Sequence, residues 1–191
     1  MFPPDSDLPL IDFQQEFGDP SWGERSNSTA EQRAKDLLDA WREADRPLVH
    51  IRHDSQEAKS PLQRTQSGFA SKPKVAPNED EHLVAKQVDS GFVGTNLQLW
   101  LEEHEYERLV LTGFTTDRCV STTARMAENL GFRVIVVVDA TATFEHETPA
   151  GRTVPADENH HIALAQLCGE FATVADTEQV LAQIMNSSTE V

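Results

Sequence analysis

"RLVLTGFTTDRCVSTTARMAENLGFRVIVVVD", residues 108–139, holds the pattern that decides the fold. "RLVLTGF" (108–114) is an apolar run of strand length. "RVIVVVD" (133–139) is a continuous β-branched run, the signature of a strand buried on both faces. Between them a helical stretch runs to about Leu130, with Gly131 suited to the position just past its end. Strand, helix and strand in this order predict parallel pairing through a covered crossover.

The same alternation extends in both directions. "LPLID" (8–12), "PLVHIR" (47–52), "HLVAK" (82–86) and "FATV" (171–174) read as further strands. Helices are predicted over 28–46, with Ser28 and Glu31 as a capping box, over 95–104 with Thr95 as cap, and over 157–168 and 177–185. The segments 53–80 and 140–156 lack periodicity, and loops of that length usually serve as lids or arms. A single α/β domain over residues 1–191 is expected.

A formal net charge of −16 argues against a nucleic-acid partner and against docking on anionic lipid. The start carries no basic segment followed by an apolar one, and no apolar run approaches membrane-spanning length. The two cysteines, Cys119 and Cys168, make no disulfide framework, and a cytoplasmic location is expected.

Ligands of open parallel α/β sheets bind beyond the carboxyl ends of the strands. Three chemically useful side chains fall there: Asp12 after the first strand, Lys86 at the end of the third, and Cys119 after the fourth. Each has an ordinary structural explanation alone. Together they form an acid, a base and a thiol at one edge. Cys119 falls in a predicted first helical turn, behind Thr115, Thr116 and Asp117, where free N–H groups and the helix dipole favour an anion. With Lys86 nearby, a lowered thiol pKa is expected, and Asp12 can take the thiol proton and return it to a leaving amine. Cys168, at a helix end before Gly169, is expected to be buried and inert.

These residues resemble the isochorismatase-like cysteine hydrolases over nearly the whole chain. "LIDFQQEF" (10–17) resembles the opening that bears the family's aspartate. "EHLVAKQVDSGFVGTNLQLWL" (81–101) resembles the lysine segment. "VLTGFTTDRCVSTTARMAENLGFRVIVVVDATAT" (110–143) resembles the nucleophile segment. The resemblance implies a Rossmann-like three-layer α/β/α sandwich with a six-stranded, mainly parallel sheet. It implies catalytic roles for Asp12, Lys86 and Cys119, and a cis peptide at Phe114–Thr115 that brings the N–H groups of Thr115 and Cys119 into one oxyanion hole. The implied activity is cleavage of a C–N bond in a small amide or N-carbamoyl compound through a thioester. A vinyl-ether hydrolase and a non-catalytic binding protein are the alternatives. A small-molecule substrate and a homo-oligomer, dimer or tetramer, are also implied.

Nicotinamidases of this family carry a metal site with an Asp-x-His motif after the second strand. "HIRHDS" (50–55) departs from it, with His50, His53 and Asp54 in another order, and residues three apart on a strand point to opposite faces. No metal and no cofactor are therefore expected, and His53 is assigned to substrate contact. Position relative to the three strand ends adds Phe17, Trp22, Phe92, Phe114, Thr116 and Arg118 as pocket candidates, with Arg118 able to grip a carboxylate. Of His160 and His161, one is expected to face the core and the other solvent.

Overall fold

The computed structural model describes residues 6–187. Its centre is a six-stranded sheet in which every pairing is parallel. The strands are β1 (Ser6–Ile11), β2 (Leu48–His53), β3 (His82–Lys86), β4 (Arg108–Phe114), β5 (Arg133–Ala142) and, later in the chain, β8 (Thr173–Ala175). Their spatial order is β3-β2-β1-β4-β5-β8. The chain thus winds outward from β1 in one direction, then resumes on the other side of β1 with β4. That reversal opens a crevice at the carboxyl ends of β1 and β4.

Alternation along the strands builds two cores. Leu8 and Leu10 of β1 and Val110 and Phe114 of β4 face one side. There they meet Ala34, Leu37, Leu38 and Trp41 of α1 (Ala30–Glu43) and Val180 and Ile184 of α5 (Thr177–Ser187). Ile11, Leu109 and Leu111 face the other side. That face is covered by α2 (Leu97–Glu103), α3 (Ser121–Asn129) and α4 (Ala156–Leu167), through Leu97, Leu101, Ala124, Ala127, Leu164 and Leu167. Trp41 is fully buried, and its indole N–H finds the Ser6 carbonyl at 3.0 Å. The expected three-layer sandwich is the one formed, and no helix among the described residues is long and apolar enough to cross a membrane.

Local chemistry shifts several predicted boundaries. α1 starts at Ala30, and Ser28 and Glu31 make no capping box: Glu31 is drawn instead into ion pairs with Arg25 and Lys72. The Thr95 hydroxyl accepts from the Leu97 amide at 3.3 Å, although α2 begins two residues later than predicted. Cys119 does not lie in the first turn of an α-helix. A π-turn over Thr116–Val120 precedes α3, closed by a Val120 N–H to Thr115 carbonyl bond of 3.1 Å. Such turns recur at functional sites. The segment 140–156 contains a two-stranded antiparallel hairpin, β6 (His146–Glu147) with β7 (Thr153–Val154), which the sequence pattern does not signal.

Candidate active site

Four strand ends supply the site. Asp12 follows β1 in the left-handed conformation (φ +53°), which aspartate tolerates, and its N–H is tied to the Ile51 carbonyl at 2.8 Å. His53 closes β2 and Lys86 closes β3, paired directly across in register. Cys119 sits in the π-turn after β4, beyond a cis peptide at Phe114–Thr115, where the family resemblance implied one.

Lys86 is the hub. Its ammonium lies 2.7 Å from Asp12 Oδ2, 3.2 Å from Cys119 Sγ and 3.2 Å from His53 Nδ1. Asp12 and Lys86 are fully buried, and Cys119 is 7% exposed. An ammonium only donates, so His53 Nδ1 must accept and the imidazole is neutral. Burial, followed by the Lys86 charge, holds the His53 pKa below its usual value. Burial also works against the Lys86 charge, but the Asp12 carboxylate overcomes it and holds the lysine above its usual range, with the Cys119 sulfur adding to this only once ionised. Asp12 Oδ1 is buried and has no hydrogen-bond partner among the described residues, which leaves it free to accept a proton.

The thiol departs from expectation. Burial first, then the Asp12 carboxylate, push Cys119 well above the ordinary thiol range, and Lys86 only partly offsets them. Charge balance reinforces the effect of burial. Asp12 and Lys86 already neutralise each other, so ionising Cys119 would leave a net negative charge in a dry site. The π-turn and burial therefore override the helix-terminus argument. Cys168 departs as well: it is exposed.

Asp12, His53 and Cys119 each offer a ligand atom within one small volume. They do not fit a metal ion, because the Lys86 ammonium already holds the position between them. The other members of "HIRHDS" turn away. His50 Nε2 reaches Glu81 at 2.9 Å, and Asp54 binds Arg64 at 3.0 Å.

A cavity of about 110 Å³ opens onto Cys119. Asp12, Phe17, Trp22, His53, Thr115, Arg118 and Cys119 line it, all residues that the sequence put forward as site candidates. Three anticipated residues lie behind the lining. Phe114 is fully buried and stacks beneath Phe17 at 5.7 Å. Phe92 packs on Phe132 in the opposite core. Thr116 is buried with its hydroxyl 2.8 Å from His160 Nδ1. His160 is thus the core-facing histidine, while His161 is exposed. Four lining residues were not anticipated: Leu62, Asp89, Phe144 and His146. Phe144 completes an aromatic wall, 5.3 Å from Trp22. His146 is held by the Asp117 carboxylate at 2.9 Å, and Asp117 also takes the Thr143 hydroxyl.

Gln14 locks the site to the 53–80 segment. Its amide accepts from the His53 N–H at 2.8 Å and donates to the carbonyls of His53 and Phe69 at 3.0 and 3.2 Å.

The isochorismatase domain matches residues 8–179 of the chain. The chain belongs to the isochorismatase family of hydrolases. It is 40% identical over 174 residues to the uncharacterized isochorismatase family protein YrdC of Bacillus subtilis (strain 168), covering 91% of this chain and 93% of that one. A streptothricin hydrolase of Streptomyces noursei is 32% identical over 152 residues, covering 78% and 52% of the two chains. Among solved structures, an isochorismatase-family protein from Chromobacterium violaceum ATCC 12472 superposes with a TM-score of 0.94 at 42% identity. The match covers 97% of this chain and 96% of that one.

Proposed function

We propose that the protein is a cysteine hydrolase that cleaves a C–N bond of a small amide or N-carbamoyl compound through a thioester. The observation that carries this reading is the convergence of Asp12, Lys86 and Cys119 at the end of an aromatic-walled cavity. The thiol proton passes to Asp12 Oδ1 as Sγ attacks the carbonyl carbon. Lys86 compensates the charge that the transfer places on sulfur. The N–H groups of Thr115 and Cys119 receive the developing oxyanion. The C–N bond then breaks and the nitrogen takes the proton from Asp12. Water attacks the thioester with its proton going to Asp12, and the acid leaves as the thiol is restored. The streptothricin hydrolase relative supports hydrolytic chemistry in this fold. The raised thiol fits the order of events, since it keeps the nucleophile protonated until a carbonyl is in place.

The test is ammonia release from a panel of small primary amides and N-carbamoyl compounds, with rapid-quench mass spectrometry of the Cys119 peptide. Turnover, an acyl adduct on Cys119 and loss of both in Cys119→Ala are the expected results. A panel with neither ammonia nor adduct would overturn the reading.

A further inference from the structure

Asp89 belongs to none of the steps above, yet it is the second carboxylate at the sulfur. It follows Lys86 by three residues, on the loop leaving β3. It lines the cavity, and its Oδ1 lies 3.8 Å from Cys119 Sγ. It is exposed, and among the described residues it accepts a hydrogen bond from the Cys119 thiol and makes no ion pair.

The other charges around the cavity are matched. Lys86 pairs with Asp12 at 2.7 Å. Arg118 lies 3.9 Å from Asp117, and Asp117 also holds His146 at 2.9 Å. His53 is neutral. Asp89 therefore supplies the uncompensated charge closest to the nucleophile, and it is negative. A carboxylate accepts hydrogen bonds and donates none. At 3.8 Å its oxygen accepts from the Cys119 thiol and flanks the sulfur. A nitrogen on the carbon that Sγ attacks comes within its reach. The Phe17, Trp22 and Phe144 rings line the same cavity, and aromatic rings tolerate a neighbouring positive charge.

We propose that Asp89 is a specificity-determining residue that selects substrates presenting N–H donors or positive charge beside the reacting carbonyl and turns anionic ones away. This rests on the hydrolase reading for its substrate class, but the charge selectivity is a property of the pocket whether or not turnover is found. It also reassigns Arg118: with Asp117 beside it and Asp89 in the same cavity lining, Arg118 does not make this a carboxylate site.

The experiment uses two methanethiosulfonates of opposite charge, the trimethylammonioethyl and sulfonatoethyl reagents, on the full chain in a Cys168→Ser background at pH 9.5, where the Cys119 thiolate becomes available. Rates at Cys119 are normalised to N-acetylcysteinamide. The normalised cation-to-anion ratio is expected to exceed one by about tenfold, the order set by a unit charge near 4 Å in a partly solvated site. D89N should bring it close to one, D89E should retain it, and R118Q should leave it unchanged or raise it. A ratio that D89N does not move would overturn the proposal. So would a ratio below one that R118Q restores, or a Cys119 that neither reagent reaches. Ammonia release from β-alaninamide, propionamide and succinamate, a cationic, a neutral and an anionic primary amide of similar size, gives the substrate side. The cation-over-anion preference in kcat/KM should narrow in D89N. If none of the three is hydrolysed, that result counts against the hydrolase reading, and the reagent ratio still decides the role of Asp89.

Discussion

Lys86 and Asp12 form an ion pair of 2.7 Å in which neither side chain has any exposure to solvent. Removing one partner strands the other charge in a dry site, whereas removing both does not. Lys86→Met is expected to lower stability by about 3 kcal/mol and to abolish activity. Asp12→Asn with Lys86→Met should cost less stability than the sum of the single changes. Urea midpoints of the wild type, both single variants and the double variant measure the coupling. Additive losses would mean that the two charges are not energetically linked.

Gly113 approaches the first strand more closely than any side chain permits. A Cβ built there would stand 1.9 Å from the Ile11 carbonyl oxygen, and its φ of +131° is a conformation that L residues avoid. The position coincides with a register irregularity between β4 and β5, just ahead of the turn that carries Cys119. Gly113→Ala must push β1 and β4 apart next to both Asp12 and Cys119. A loss of at least about 3 kcal/mol is expected, with activity falling further than thermal stability alone explains. A variant with a wild-type melting temperature would contradict this geometry.

Acid lability is expected from the pair His50 and Glu81, which are not part of the cavity lining. Burial is the main cause that lowers His50 from 6.5 to about 4. Burial alone would raise Glu81, but bonds from Arg42, the Asn78 amide and His50 overcome it and hold the carboxyl at about 2. The unfolded chain takes up the histidine proton near pH 6.5 and the folded chain only near 4. Stability from His50 is therefore lost as pH falls through that window, on the order of 2 kcal/mol by pH 5. The Glu81 contribution, present above 4.5, is lost between 4.5 and 2. His53, His82 and His160 are also held below their usual values and add to the same decline. His50→Gln should flatten the drop in urea midpoint between pH 7.5 and 5. An unchanged drop would assign the lability to the other histidines.

The strands were legible because their chemistry is local. Val134 to Val138 reads as a buried strand without knowledge of its neighbours, and Asp12, Lys86 and Cys119 read as strand-end residues once the alternation is seen. Leu62, Phe144 and His146 were not legible, since they lie in the segments 53–80 and 140–156, whose paths depend on long-range contacts such as Gln14 with Phe69 and Asp117 with Thr143. Asp89 stood in plain view between Lys86 and Ser90, but a lone carboxylate on a loop is usually solvated, and only the 3.8 Å approach to Sγ distinguishes it. Phe92, Phe114 and Thr116 were close in sequence to the site and yet lie behind it. Neighbours along a strand or turn alternate in direction, and sequence proximity does not say which face is presented.

The thiols supply the sharpest reversal of a sequence-based expectation. Cys119 is buried and held well above the usual thiol range, first by burial and then by Asp12, whereas Cys168 is exposed. Alkylation requires the thiolate and access. Iodoacetamide at pH 7 should therefore label Cys168 before Cys119 in the absence of substrate, and labelling of Cys119 should rise steeply only at alkaline pH. Asp12→Asn removes a negative charge beside the sulfur and should move the Cys119 rate profile to lower pH while turnover falls by about 10²–10⁴-fold, the range for a lost proton shuttle. Lys86→Met removes the compensating ammonium and should move the profile to higher pH. Rates at the two cysteine peptides, followed by mass spectrometry from pH 6 to pH 10, separate these effects. If Cys119 is labelled first at pH 7 in the wild type, the resting nucleophile is a thiolate and the charge balance drawn from Asp12 and Lys86 is wrong. If the two variants shift its profile in the same direction, the change follows loosened packing rather than charge.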